Sequence, residues 1–273
     1  MSNRGGETPR DFCPFELRRA ALRLLLSNDD GIEAAGLAAL EHAVATLGGH
    51  EVWTFAPAVE QSAKSHSFTM REPLRVREHA PRKFSVTGTP ADAVYLAMHG
   101  LLPGPPDLVL SGINLGSNLG TDVHYSGTVA AAREAVSHDV PAIAFSLHVG
   151  DDKLAPARWD TAIAVAQRIV PQVLRDGLPD GTVLNVNIPN LPFGELKGVR
   201  AAPLSRRRYE TTVRKGSDLR GQPYYWIGGP HSHFYGEPEG DGPLCEAGWV
   251  TLTPLGLDIT VTSAIPHLRG WES

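Results

Sequence analysis

A chain of 273 residues is long enough for one large α/β domain or a domain plus an appendage, and its formal net charge of -5, with no long acidic or basic block, gives no electrostatic footprint for duplex nucleic acid or a membrane surface. Only Cys13 and Cys245 occur, so a disulfide framework is not needed and two unpaired thiols in a reducing compartment are expected. No apolar run approaches the roughly 20 residues that span a bilayer, and residues 1–20 lack the basic start and apolar stretch of a signal peptide, so a soluble cytoplasmic protein is expected.

Residues 1–20, polar at their start, read as an N-terminal extension outside the fold and without fixed structure. Residues 21–27 (Ala-Leu-Arg-Leu-Leu-Leu-Ser) are short, mostly apolar and stopped by Asn28-Asp29-Asp30-Gly31, which suits a buried strand. Leu37, Leu40, Val44 and Leu47 then fall at helical spacing before Gly48-Gly49, and a second strand covers residues 52–56. After a polar loop over residues 57–70, Leu74/Val76 and Phe84/Val86 predict an antiparallel pair at a sheet edge. Thr89-Pro90-Ala91-Asp92 opens a helix, with Thr89 as its cap, Pro90 in its first turn and Asp92 at its positive end. Residues 108–110 predict a short buried strand followed by a Gly-rich segment to residue 120; helix follows over 128–137, strand over 142–146, helix over 159–174 and strand over 183–188.

This βα alternation implies a Rossmann-like, mostly parallel sheet flanked by helices, assigned to residues 21–190. Residues 191–273, rich in Gly, Pro, Arg and aromatics with strand-like pieces over 224–227 and 249–252, predict a C-terminal β-rich extension used in oligomerisation. Arg206-Arg207-Arg208 could meet nucleotide phosphates or a partner's carboxylates, and solvated surface is the preferred reading.

Ligands of an open parallel sheet bind outside the carboxyl ends of its strands, so the polar loops there carry the chemistry. Asp29 and Asp30 place two carboxylates where a strand gives way to a helix, and like charges that close need a cation or strong donors to stay ionised together. A hard cation such as magnesium or manganese takes oxygen ligands, and Ser62 and Asn114 supply neutral ones; helix capping is the other use of such an Asp-Gly turn. Gly112, Gly116 and Gly120, followed by the helix start at Tyr125-Ser126-Gly127-Thr128, suit either a phosphate cradle or an ordinary loop and cap. There is no G-x-G-x-x-G after the first strand, no G-x-x-x-x-G-K-[ST] and no G-x-S-x-G around Ser126, and His231-Ser232-His233 is only a weak soft-metal pattern.

Leu24-Leu25-Leu26-Ser27-Asn28-Asp29-Asp30-Gly31-Ile32, Gly88-Thr89-Pro90-x-Asp92, Ser111-Gly112-Ile113-Asn114-x-Gly116-x-Asn118-Leu119-Gly120 and Tyr125-Ser126-Gly127-Thr128-Val129-Ala130-Ala131-Ala132 together resemble the SurE family of stationary-phase survival proteins and 5'-nucleotidases. The resemblance implies a Rossmann-like domain with a β-rich extension, homodimer or homotetramer assembly, and hydrolysis of nucleoside monophosphates with one divalent metal, Mg2+ or Mn2+, per subunit. It carries the metal ligands onto Asp29, Asp30, Ser62 and Asn114; the match thins around Ser62, where Ala58 follows Pro57 and Ala63-Lys64 follow the serine. Asn118, Ser126, Gly127 and Thr128 are then expected to hold the phosphate, with Asp29 and Asp30 as catalytic carboxylates acting through either a water or an aspartate nucleophile. Two other classes stay open: a non-catalytic nucleotide-binding module, and a metal-free serine hydrolase using Ser126 with His124 or His148.

Overall fold

A computed structural model of the chain describes residues 21–150, 156–209, 213–227 and 232–272; the expected N-terminal extension, Cys13 and His231 lie outside them. In strand β1 (Arg23–Ser27), Leu24, Leu25 and Leu26 are all fully buried, Leu24 and Leu26 in one apolar cluster and Leu25 in another. Successive side chains of a strand point to opposite faces, so an unbroken apolar run is what a strand covered on both sides requires. Helix α1 (Ala35–Leu47) buries Leu37, Leu40 and Val44 on the first face and stops at Gly48, whose φ of 67° is left-handed. Strands β2 (Glu51–Pro57), β3 (Val76–Ala80) and β4 (Lys83–Val86) follow. Helix α2 (Pro90–Leu96) starts on a reciprocal cap, the Asp92 amide donating to the Thr89 hydroxyl (3.1 Å) and the Thr89 amide to the Asp92 carboxylate (2.8 Å).

Alternation continues through β5 (Leu108–Leu115), α3 (Gly127–Val136), β6 (Ala142–His148), α4 (Trp159–Asp176) and β7 (Thr182–Pro189), with α4 packed on α1 and α3 on α2. Beyond β7 come β8 (Val199–Ala201), β9 (Arg206–Tyr209), β10 (Val213–Ser217), β11 (Pro223–Ile227), β12 (Ser232–Tyr235), α5 (Asp241–Glu246), β13 (Val250–Gly256) and α6 (Ile265–Arg269). The main sheet has nine strands in the order β3-β4-β2-β1-β5-β6-β7-β13-β8. Its centre from β4 to β7 is parallel, β3 and β13 run antiparallel to β4 and β7, and β8 runs parallel to β13.

Three expectations change on contact with this topology. The predicted edge pair exists, but only β3 is an edge: β4 also pairs parallel with β2, and Leu74 precedes β3 and packs on the core instead. The segment expected as a Gly-rich loop from residue 111 is strand as far as Leu115, interrupted by a bulge between Ser111 and Asn114. Glycine signals a loop in sequence because it permits unusual backbone, and a bulge uses the same freedom; Gly112 has φ 129° and a Cβ there would run into the Phe145 carbonyl. The strand expected over 249–252 is β13 and belongs to the main sheet, with Leu252 opposite Val186, whereas β10–β11 and β9–β12 form separate two-stranded pairs.

The β9–β12 pair is tied to the sheet through Asp241, a fully buried carboxylate. It accepts from the amides of Gly120 (2.9 Å), Ser205 (2.8 Å) and Gly242 (2.8 Å) and from the Ser205 hydroxyl (2.6 Å). Donors of that number satisfy a buried charge, and they fix β9 beside the loop that follows β5.

Candidate active site

β1 ends at Ser27 and β5 passes beside it, Ser27 lying opposite Ser111, so the turn after β1 meets the bulged half of β5 at the carboxyl edge of the sheet. The turn is shaped by Asn28, which donates to the Gly31 carbonyl (2.9 Å) and accepts the Gly31 amide (3.3 Å). Asp29 and Asp30 project from it. Asp29 is 4 % exposed and its Oδ1 accepts the Thr128 hydroxyl (2.6 Å) at the N-terminus of α3. Asp30 Oδ2 accepts the amide of Leu115 (3.2 Å), which brings Asn114 alongside. Asn114 turns its Nδ2 to the Gly116 carbonyl (2.8 Å), leaving its side-chain oxygen as the donor atom for a cation.

Ser62 arrives on the loop between β2 and β3, which is pinned along its length. The Gln61 amide donates to the Asp29 carbonyl (2.7 Å), Ser65 donates through its amide to Tyr125 O (3.0 Å) and through its hydroxyl to His124 O (2.7 Å), and Thr69 binds Asp92 through amide (3.0 Å) and hydroxyl (2.6 Å). Ala63 and Ser65 sit at φ 58° and 55°, left-handed values that non-glycine residues rarely take and that such pinning sustains. The Ser62 hydroxyl donates to Glu60 (2.8 Å).

The electrostatics of the pair follow from burial. Desolvation drives the Asp29 carboxyl above its ordinary value, opposed by the Thr128 hydroxyl and the first amides of α3. Asp30 is pushed up to about 6, first by desolvation and then by the charges of Asp29 and Glu60. Two neighbouring carboxylates share the site, with the more distant charge of Glu60 adding to that on Asp30, and no basic side chain among the described residues makes a hydrogen bond to Asp29 or Asp30, so an anion alone is repelled and a cation is attracted. The available donors, two carboxylates, a hydroxyl and an amide oxygen, are all hard oxygens, and the buried hydroxyls of Ser27 and Ser111 beneath them have no hydrogen-bond partner among the described residues. That set fits magnesium or manganese and does not fit a soft metal. Among the described residues no three His, Cys, Asp or Glu side chains come together as a metal cluster, and the His231-Ser232-His233 pattern falls partly outside them.

The residues expected to hold phosphate are placed differently from one another. Ser126 caps α3 by accepting the Val129 amide (3.0 Å), and Thr128 is fully buried on Asp29. Gly127 lies so close to Asp29 that a Cβ there would stand 2.7 Å from the aspartate Cβ. Asn118 is buried within a polar row: its amide donates to Asn187 (2.9 Å), its side chain to Ser146 (2.8 Å), and its carbonyl accepts from Asn185 (2.8 Å) and Asn187 (3.1 Å).

The family model described as Survival protein SurE matches residues 24–211. The chain belongs to the SurE family. A protein named 5'-nucleotidase SurE from Symbiobacterium thermophilum is 44% identical over 91% of this chain and 98% of its own length, and one of the same name from Alkalilimnicola ehrlichii is 43% identical over 92% and 96%. The crystal structure of the SurE protein from Aquifex aeolicus superposes with a TM-score of 0.79 at 38% identity, covering 92% of this chain and all of that one. In this SurE chain Glu60, two positions before Ser62 and outside every motif of the sequence, accepts the Ser62 hydroxyl and adds its charge to Asp30. Arg207, preferred as solvated surface from the sequence, is instead 15% exposed at its side chain and pairs with Asp122 (2.6 Å).

Proposed function

We propose that this SurE chain hydrolyses nucleoside 5'-monophosphates to nucleoside and phosphate, using one magnesium or manganese ion per subunit. The observation that carries the reading is the desolvated pair Asp29 and Asp30, with the charge of Glu60 felt at Asp30 and the neutral oxygens of Ser62 and Asn114 on the adjoining segments. The names borne by its relatives, 5'-nucleotidase SurE, support the same chemistry. Bound by Asp29, Asp30, Ser62 and Asn114, the cation supplies charge neutralisation and polarisation of a phosphate oxygen.

Asp29 is the carboxylate assigned to orient the attacking water and take its proton, because the Thr128 hydroxyl and the start of α3 fix its position. Gly127 and Thr128 therefore act as positioning residues, and Ser126 keeps the helix start in register. Asn118 shapes the loop after β5 through Asn185 and Asn187. Assembly into a dimer or tetramer is assigned to the β10–β11 pair, whose Tyr225, Trp226 and Ile227 are 58%, 70% and 91% exposed. Among the described residues no helix is long and apolar enough to cross a membrane.

Phosphate release from AMP and GMP by the full chain tests this directly. Release in magnesium or manganese should stop with EDTA and return with excess cation. Hydrolysis that continues undiminished in EDTA would contradict the reading, and nucleotide binding with no release would favour the non-catalytic module.

A further inference from the structure

The loop that carries Ser62 covers residues 58–75 between β2 and β3 and contains no helix or strand, so it keeps one shape only where it is tied to the rest of the fold. One tie is an ion pair reaching across the fold. His66, four positions after Ser62, meets Glu134 of α3, its Nε2 lying 2.8 Å from Oε2. Glu134 is 6% exposed at its side chain, and among the described residues no lysine or arginine pairs with it. Its other oxygen meets Nε2 of His138, at the end of the same helix, at 3.0 Å. A carboxylate can only accept, so both rings turn an N–H toward it, and a buried carboxylate short of a donor is costly.

Helix α3 serves both sides of the carboxylate site. Thr128, in its first turn, bonds Asp29 at 2.6 Å, and Glu134 follows about 9 Å further along the axis. Val129, Ala131, Ala132 and Ala135 are fully buried, so the helix between those two points is locked to the core. The loop itself needs holding on both sides of Ser62. Ala63 and Ser65 take left-handed φ values of 58° and 55°, a conformation that relaxes once one end is released. The Gln61 amide on the Asp29 carbonyl secures the near end, and Ser65 and His66 secure the far end.

We infer that Glu134 and His66 are a positioning pair, which holds the Ser62 loop in register with Asp29 and thereby sets the affinity for the cation. This rests on the metal reading above and adds to it two residues outside the ligand set. His138 gives the contrast: it binds the same carboxylate but makes no bond to the loop, lying instead against the rings of His99 and Tyr95, with centres 4.3 and 5.8 Å away.

The test uses the full-length protein and three matched variants. His66→Met fills the ring's space without an N–H, His66→Gln restores a donor of similar reach, and His138→Met removes the other donor from Glu134. In the metal-free protein, His66→Met should speed hydrogen exchange of the Gln61 and Ser65 amides about tenfold, while His138→Met stays within about twofold of the wild type. Manganese affinity, read from the paramagnetic resonance of the free ion, should fall about tenfold in His66→Met, the scale of a partner that supports a ligand from outside. In His66→Gln and in His138→Met it should stay within about twofold of the wild type. Equal losses in His66→Met and His138→Met would make Glu134 a structural charge only and overturn the pair, as would wild-type exchange and affinity in a folded His66→Met protein. A loss of about tenfold in His66→Gln overturns it too, whether or not His66→Met folds. A wild type that takes up no manganese would refute the metal reading instead, and amide exchange would still decide whether the pair holds the loop.

Discussion

An Asp30→Asn chain should hydrolyse AMP about 10³-fold more slowly than the wild type while unfolding at the same temperature or slightly above it. The two halves of that expectation have one cause. Asp30 is partly desolvated and faces the charges of Asp29 and Glu60, so in the metal-free protein its charge is a burden on the fold and its removal costs no stability. The amide is nearly isosteric and its oxygen can still accept the Leu115 amide that Asp30 accepts now. What the amide cannot supply is the negative charge that draws a divalent ion to the pair. Phosphate release and a thermal melt on the same preparation check both halves. Wild-type turnover in the variant would remove Asp30 from the site, and a large drop in melting temperature would make it a structural residue instead.

Gly127→Ala is expected to reduce turnover by about 10²-fold, the scale associated with misplacing a catalytic group by roughly 1 Å. Alanine normally favours a helix over glycine by about 1 kcal/mol, so a neutral site would become more stable. At Gly127 the added methyl would stand 2.7 Å from Asp29 Cβ, 2.9 Å from its Oδ2 and 3.1 Å from Pro90 Cγ. Asp29 is fixed by the Thr128 hydroxyl and by β1, so either the carboxylate or the first turn of α3 must shift. The crowding should outweigh the propensity gain, with a net loss of about 1–3 kcal/mol. Gly100→Ala is the control, because a methyl there meets nothing within 4 Å. Stability and turnover at Gly127→Ala equal to those of the control would show that α3 does not hold Asp29 in place.

Much of this was legible in sequence because the relevant signals are local. The apolar run ending in Asn28-Asp29-Asp30-Gly31 specifies a buried strand and its turn, and Thr89-Pro90-x-Asp92 specifies a helix start, to which the structure adds the return bond from the Thr89 amide to the Asp92 carboxylate. What stayed hidden depends on pairing between distant segments. Nothing near Val250 distinguishes a strand in an appendage from one that pairs with β7, and nothing in Gly112 distinguishes a loop from a bulge. Arg207 read as surface because its partner, Asp122, lies 85 positions away, and Glu60 read as an ordinary loop acid because its neighbour Asp30 belongs to another strand's turn. The carboxylate pair is visible in sequence; the contacts of Gly127 and Thr128 with Asp29 arise only where α3 packs against it.

Calorimetric titration of the metal-free, full-length protein with manganese measures the affinity on which the rest depends. The wild type should take up one ion per chain, and Asp30→Asn should bind it at least about a hundredfold more weakly. Equal stoichiometry and affinity in the two proteins would place the ion elsewhere, and the assignment of Asp29 and Asp30 as its holders would be wrong.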